Sequence, residues 1–267
     1  MGEYAVDAYW GKGSFGSVFR AWRNGKVFAL KVFNKRDENE ELTLARFQLE
    51  AEILRSIKSV RVPTFIEAFS MGEKHIIVQE LIEGSPLSNF IANAYRFDER
   101  KVKIIIAQLL IILQDLHNPE HMENAIVHRD LRLSNLLIKN GDVYLIDFGF
   151  ARYLNPKSGI VLPDPEVSYD REETKQPVEP AIRRNPGVYT YRLLRREISP
   201  RSDLFGVGVV AIDLFTNWVE DEALFTQPWE KVLPISSQFI GFLQRLLSRD
   251  NHGFSSVSEA LNELKNI

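Results

Sequence analysis

The run His128-Arg129-Asp130-Leu131-Arg132-Leu133-Ser134-Asn135 puts a carboxylate and a carboxamide on one short segment, and seventeen residues past Asp130 comes Asp147-Phe148-Gly149. One carboxylate can accept a hydroxyl proton, while a second carboxylate and an amide oxygen are the hard donors that Mg²⁺ takes. The plainer alternative is that these polar residues cap turns. In Phe28-Ala29-Leu30-Lys31-Val32 a lysine interrupts an apolar strand. Strand alternation sets Lys31 on the face of Ala29 and Phe33, away from Leu30 and Val32. A lysine buried there needs an anion, and Glu50 is the natural candidate. The bland readings are a strand lysine in water, or a Lys–Glu pair of purely structural value.

The segment Gly11-Lys12-Gly13-Ser14-Phe15-Gly16-Ser17-Val18 is glycine-rich. Glycines let backbone N–H groups come close to phosphate oxygens. A dinucleotide fingerprint would need a helix after the glycines, whereas here a strand follows. Taken alone, the segment reads equally well as a tight hairpin.

These residues need elements to hold them. Strands are expected on both sides of the glycine turn, with Asn24-Gly25 closing a hairpin and Val27–Phe33 forming a third strand. From about Glu41 to Lys58 the pattern is helical. Phe47, Glu50, Ile53, Leu54 and Ile57 share one face, so Glu50 points inward and Glu52 outward. Strands follow at Phe65–Ser70 and His75–Glu80, then a connector to Gly84. Helices are expected over Pro86–Ala94 with Ser85 as N-cap, then over Asp98–His117, Ser202–Phe215, Ser237–Leu247 and Ser255–Leu264. Short strands and turns fill 126–146. The proline-studded stretch from about Phe150 to Pro200 is expected as a long loop, in part mobile.

The 267 residues suit one large domain or two small lobes. A net charge of −3 gives no support to an electrostatic nucleic-acid binder. The absence of cysteine excludes disulfides, thiolate metal sites and a cysteine nucleophile, and fits a cytoplasmic setting. The most apolar run, Ile104–Leu113, is too short for a bilayer and reads as a buried helix. The first ten residues do not have the pattern of a signal peptide.

Taken in order, the glycine loop, Lys31, Glu50, the His128–Asn135 string and Asp147-Phe148-Gly149 resemble the eukaryotic-type (Hanks-type) protein kinase superfamily, bacterial members included. The likeness runs from Trp10 to the last helix. It implies a single α+β, bilobal kinase domain. A small antiparallel-sheet N-lobe with one helix would occupy about 1–79, a hinge 80–84, and a mainly helical C-lobe 85–267. The implied cofactors are ATP and Mg²⁺. Gly11, Gly13 and Gly16 would roof the phosphates, and Lys31, held by Glu50, would contact them. Asp130 would be the catalytic base, Asn135 and Asp147 would bind the metal, and Arg132 would help offset phosphate charge. Val18, Ala29 and Leu137 would sandwich the adenine, with Trp10 in place of a smaller aliphatic residue. The Glu80–Ile82 backbone would meet the adenine edge, with Gln79 just before it. A protein acceptor is implied, Ser/Thr rather than Tyr. A small-molecule or glycan kinase and a pseudokinase binding module are the alternatives.

The chain departs from the family in three places. Arg132 stands where serine/threonine kinases usually carry lysine. The Ala-Pro-Glu motif is missing from the Tyr189–Arg196 stretch, and Phe254 stands where the arginine that pairs with its glutamate would be. Loss of both partners avoids a stranded buried charge, so Phe254 is expected to pack in an apolar version of that site. The segment between the helices ending near Thr216 and starting near Ser237 is short for the family. Arg129 beside Asp130 suggests control by phosphorylation at Ser168, Tyr169 or Thr174.

Overall fold

A computed structural model describes residues 2–13, 15–33, 40–155, 162 and 195–267, Arg249 excepted. Most of the proline-studded stretch, with Ser168, Tyr169 and Thr174, lies outside the described residues.

The chain opens as a five-stranded antiparallel sheet built from β1 (Ala5–Gly13), β2 (Gly16–Arg23), β3 (Lys26–Phe33), β4 (Phe65–Met71) and β5 (Lys74–Glu80), in the order β1-β2-β3-β5-β4. Asn24 and Gly25 turn the β2–β3 hairpin with φ of 52° and 75°, the left-handed pair that a two-residue turn demands. β3 is central and buried on both faces. Leu30 and Val32 join Tyr4, Ala21, Ile76 and Val78 in a cluster on one side. Phe33 and Ile77 face the main core on the other.

Helix α1 (Glu40–Ser56) packs on that second face. Phe47, Glu50, Ile53 and Leu54 are buried and Glu52 is exposed, as the helical spacing requires. Helix α2 (Leu87–Ala92) is shorter than expected, and Ser85 is not its cap. Ser85 instead pairs with Ile138 as part of a two-residue strand, β6 (Ser85–Pro86), and Pro86 takes the N-cap position with no side-chain bond. Tertiary pairing to β8 (Leu136–Lys139) therefore overrides the local capping preference.

Helix α3 (Glu99–His117) starts at Asp98, whose carboxylate accepts from the Lys101 amide at 2.8 Å. It buries Val102, Ile105, Ile106, Leu109, Leu110 and Leu113 at spacings of three and four. Strands β7 (Ile126–Val127), β9 (Asp142–Leu145) and β10 (Arg152–Tyr153) complete two small sheets, β6-β8-β9 and β7-β10. Helix α4 (Pro200–Asp213) buries every residue from Ser202 to Ile212, and its Asp203 fixes the backbone at His128 and Arg129. Short turns lead through α5 (Trp229–Val232) to α6 (Ser237–Leu247) and α7 (Val257–Leu264), capped by Ser236 and Ser256. Together these elements form an antiparallel sheet with one helix, followed by a mainly helical lobe, the α+β arrangement expected.

Phe254 is buried, its ring 5.2 Å from that of Phe242. Arg245 lies over the same ring at 4.0 Å and pairs with Glu259 and Glu263, so a cation with carboxylate partners still sits beside the apolar contact.

Candidate active site

Strand β3 presents Lys31 inward at 3% exposure, and α1 brings Glu50 to it at 3%. Lys31 Nζ donates to Glu50 Oε1 at 2.6 Å and Oε2 at 2.9 Å, and to Asp147 Oδ1 at 2.7 Å. One cation thus joins two carboxylates drawn from distant parts of the chain. Burial pulls the lysine downward, but Asp147 and Glu50 outweigh it and hold it above the ordinary range. Burial pushes Asp147 up, yet the Lys31 charge and hydrogen bond leave it well below the usual carboxylate range. Glu50 is the unequal partner: burial raises it more than Lys31 lowers it, and the Asp147 charge raises it further.

Asp130 and Asn135 form a second cluster. Asn135 Nδ2 donates to Asp130 Oδ2 and to its carbonyl, both at 2.9 Å. That commits the amide nitrogen, so the oxygen is the atom left to offer a cation. Arg129 and Asp147 adopt φ of 67° and 63°, left-handed values that cost a non-glycine residue about 1–3 kcal/mol each. Asp203, in the first turn of α4 and fully buried, supplies the compensation at Arg129. It accepts from the backbone amides of His128 and Arg129 at 2.8 Å each, and pairs with His117 at 2.9 Å. Burial raises its carboxyl, but His117, His128 and the Arg129 amide together hold it low. Sequence reasoning assigned no role to Asp203 or His117; an aspartate in an otherwise apolar helix was the available signal.

His128 is buried, its ring 4.8 Å from that of Phe148, and Phe148 is itself 1% exposed. The Phe148 side chain therefore points into the core, which leaves Asp147 facing Lys31.

The glycines play separate parts. A Cβ on Gly13 would sit 3.4 Å from Lys31 Cε and 3.7 Å from Asp147 Oδ2, so this glycine roofs the charged cluster. Gly11 has open space around it. Gly16 is demanded by the sheet: a Cβ there would collide with the Val32 carbonyl oxygen and lie 2.9 Å from its carbon. Phe15 at the loop tip is folded in, 4.8 Å from Phe150 and under the Arg46 guanidinium at 4.6 Å.

Around the expected adenine position, Ala29 and Leu137 are buried and Val18 is half-buried. Trp10 is 47% exposed. Glu80 ends β5 and Ile82 lies in the connector that follows, and Gly84 brings that connector onto β8, where an added Cβ would be 3.1 Å from that of Leu137. Gln79 ends half-buried beside Ala29 in the β3–β5 register. Arg132 is exposed.

Two further arginines reach the His128–Asn135 segment, and sequence reasoning did not single them out. Arg196 Nη2 donates to Asp130 Oδ1 at 3.1 Å, with its guanidinium 3.3 Å from the centre of the Phe150 ring. Arg195 donates to the Leu131 carbonyl. Arg129, the residue expected to answer to phosphorylation, donates to the Arg196 carbonyl, at 2.6 Å from Nε, and to the Phe150 carbonyl at 3.1 Å.

Comparison with known proteins agrees with this geometry. The family model described as protein kinase domain matches residues 4–264. The chain is 28% identical over 263 residues to serine/threonine-protein kinase 36 of Pongo abelii, covering 94% of this chain and 18% of that one. It is 27% identical over 271 residues to the probable serine/threonine protein kinase IREH1 of Arabidopsis thaliana, covering 90% and 20%. It is 30% identical over 215 residues to a probable myosin light chain kinase of Dictyostelium discoideum, covering 79% and 62%. The chain thus spans about a fifth of the length of the first two. With that match running over nearly all of its length and a Lys–Glu–Asp cluster beneath the glycine loop, the chain belongs to the protein kinase family.

Proposed function

We propose that the chain is an active serine/threonine protein kinase, transferring the γ-phosphoryl group of ATP to hydroxyls of protein acceptors, itself included. The observation that carries the reading is Lys31 bridging Glu50 and Asp147 beneath Gly13. The kinase family uses ATP, typically with Mg²⁺. The donor set fits a hard cation: Asp147 is held ionised, and the Asn135 amide is turned so that its oxygen is the one available. Bound there, Mg²⁺ would neutralise charge on the transferring phosphoryl group.

The protein's own residues do the rest. Lys31 carries positive charge to the phosphates from a buried position, and Glu50 fixes its direction. Gly11 and Gly13 let backbone N–H groups approach those phosphates. Val18, Ala29 and Leu137 flank the adenine, with Trp10 at the rim and the Glu80–Ile82 backbone at its edge. Asp130 orients the acceptor hydroxyl and takes its proton. Arg132, exposed beside it, offsets charge as the phosphoryl group moves. Residues 1–79 and 85–267 make the two lobes and 80–84 the hinge. The relatives' printed names support serine or threonine as acceptor, and the cytoplasm is the compartment proposed. No helix among the described residues is long and apolar enough to cross a membrane.

Radiolabelled ATP with Mg²⁺ and generic protein acceptors, beside Asp130→Ala, tests this. Label on serine or threonine that disappears in the variant is expected. Unlabelled protein, with nucleotide still bound, would refute it.

A further inference from the structure

A catalytic carboxylate needs one oxygen for the acceptor, and in this structure both oxygens of Asp130 are engaged. Oδ2 accepts from Asn135 within the catalytic loop. Oδ1 accepts from Arg196, which is a donor only and cannot take a hydroxyl proton. The arginine is fastened in place. Its guanidinium stacks on Phe150, Arg129 grips its carbonyl, and neighbouring Arg195 grips the Leu131 carbonyl. Segment 195–196 is thus tied to the catalytic loop on both sides of Asp130, and the Arg196 side chain remains 30% exposed.

We propose that Arg196 is an acceptor-gated latch: it covers Asp130 until an acceptor with a carboxylate side chain next to its hydroxyl draws the guanidinium away, so the enzyme selects serine or threonine flanked by acid. This rests on the protein kinase reading above. A neutral acceptor would have to break the Arg196–Asp130 pair without replacing it. An acidic one exchanges one carboxylate for another, and a guanidinium bonds carboxylates in either position with the same geometry. The stack on Phe150 keeps the cation beside the acceptor while it changes partner. Exposed Arg132, close by in the chain, adds charge of the same sign.

The test compares wild type, Arg196→Gln and Arg196→Lys. Each is given Mg-ATP with paired serine peptides differing only in Glu or Gln beside the acceptor, and Mg-ATP with no peptide; ADP binding checks the fold. Wild type should prefer the Glu peptide by about fivefold in kcat/KM, the scale of a part-exposed ion pair. Arg196→Gln should lose that preference, phosphorylate the Gln peptide faster and hydrolyse ATP faster without peptide. Arg196→Lys should keep part of the preference. Rates and preference unchanged in Arg196→Gln, with transfer intact, would overturn the latch alone. So would loss of transfer to every peptide in Arg196→Gln with ADP binding preserved. A wild type that binds ADP but neither transfers nor hydrolyses would overturn the kinase reading and the latch with it.

Discussion

In the Lys31–Glu50–Asp147 cluster, the sign of a mutation should depend on its background. Lys31 and Glu50 are each 3% exposed and joined by contacts of 2.6 and 2.9 Å, with Asp147 Oδ1 2.7 Å from the same ammonium. Glu50→Gln removes one of two anions while Lys31 keeps Asp147. The loss is therefore that of a charge-assisted hydrogen bond, about 1–3 kcal/mol of unfolding free energy. Lys31→Met is more severe, because the buried Glu50 and part-buried Asp147 carboxylates then face each other with no cation between them; about 3–5 kcal/mol is expected. Adding Glu50→Gln to Lys31→Met removes one of those stranded charges, so the same change becomes neutral or stabilising. Urea unfolding followed by tryptophan fluorescence, without nucleotide, measures all four corners of the cycle. Additivity within about 0.5 kcal/mol would refute a shared ion cluster. In turnover, Glu50→Gln should cost about 100-fold in kcat/KM for Mg-ATP, the scale of a catalytic group left slightly misplaced. Near-normal turnover would mean that Lys31 needs no direction from Glu50.

Gly16→Ala should destabilise by about 1–3 kcal/mol, since the added methyl meets backbone of β3 that has no room to yield; thermal unfolding checks it. Asp203→Ala should cost about 3 kcal/mol or more and lower turnover as well, because the amides of His128 and Arg129 lose their acceptor and the strained turn at Arg129 its anchor; denaturant unfolding and a peptide assay read both. Burial holds the His128 imidazole below its ordinary value, against the pull of Asp203, Asp130 and Asp147. The unfolded chain therefore binds the extra proton near about pH 6.5, and stability falls as pH falls through that range. His128→Phe should be less stable at neutral pH yet lose less between about pH 7.5 and 5.5, measured as the shift in melting midpoint.

The local code of this chain was legible because it depends on neighbours a few positions away. Two-residue alternation put Lys31 on the core side of β3, and spacing of three and four separated buried Glu50 from exposed Glu52. Asn24-Gly25 specified its own turn, and the helices expected from Asp98, Ser237 and Ser255 begin at Glu99, Ser237 and Val257. The string from His128 to Asn135 announced its chemistry by residue type. What local pattern could not decide were the pairings made across the fold. Ser85 looked like a cap and became a strand partner of Ile138. Gly16 was read only for its place in the glycine loop, and the demand of the Val32 backbone for a glycine there comes from the β2–β3 packing. Lys31 and Asp147 stand 116 residues apart, His117 and Asp203 86, Arg196 and Asp130 66. Chain separation on that scale carries no periodicity. Only the packing of α1 on β3, and of the catalytic loop on α4, brings those charges within hydrogen-bonding distance, where burial makes their pairing obligatory.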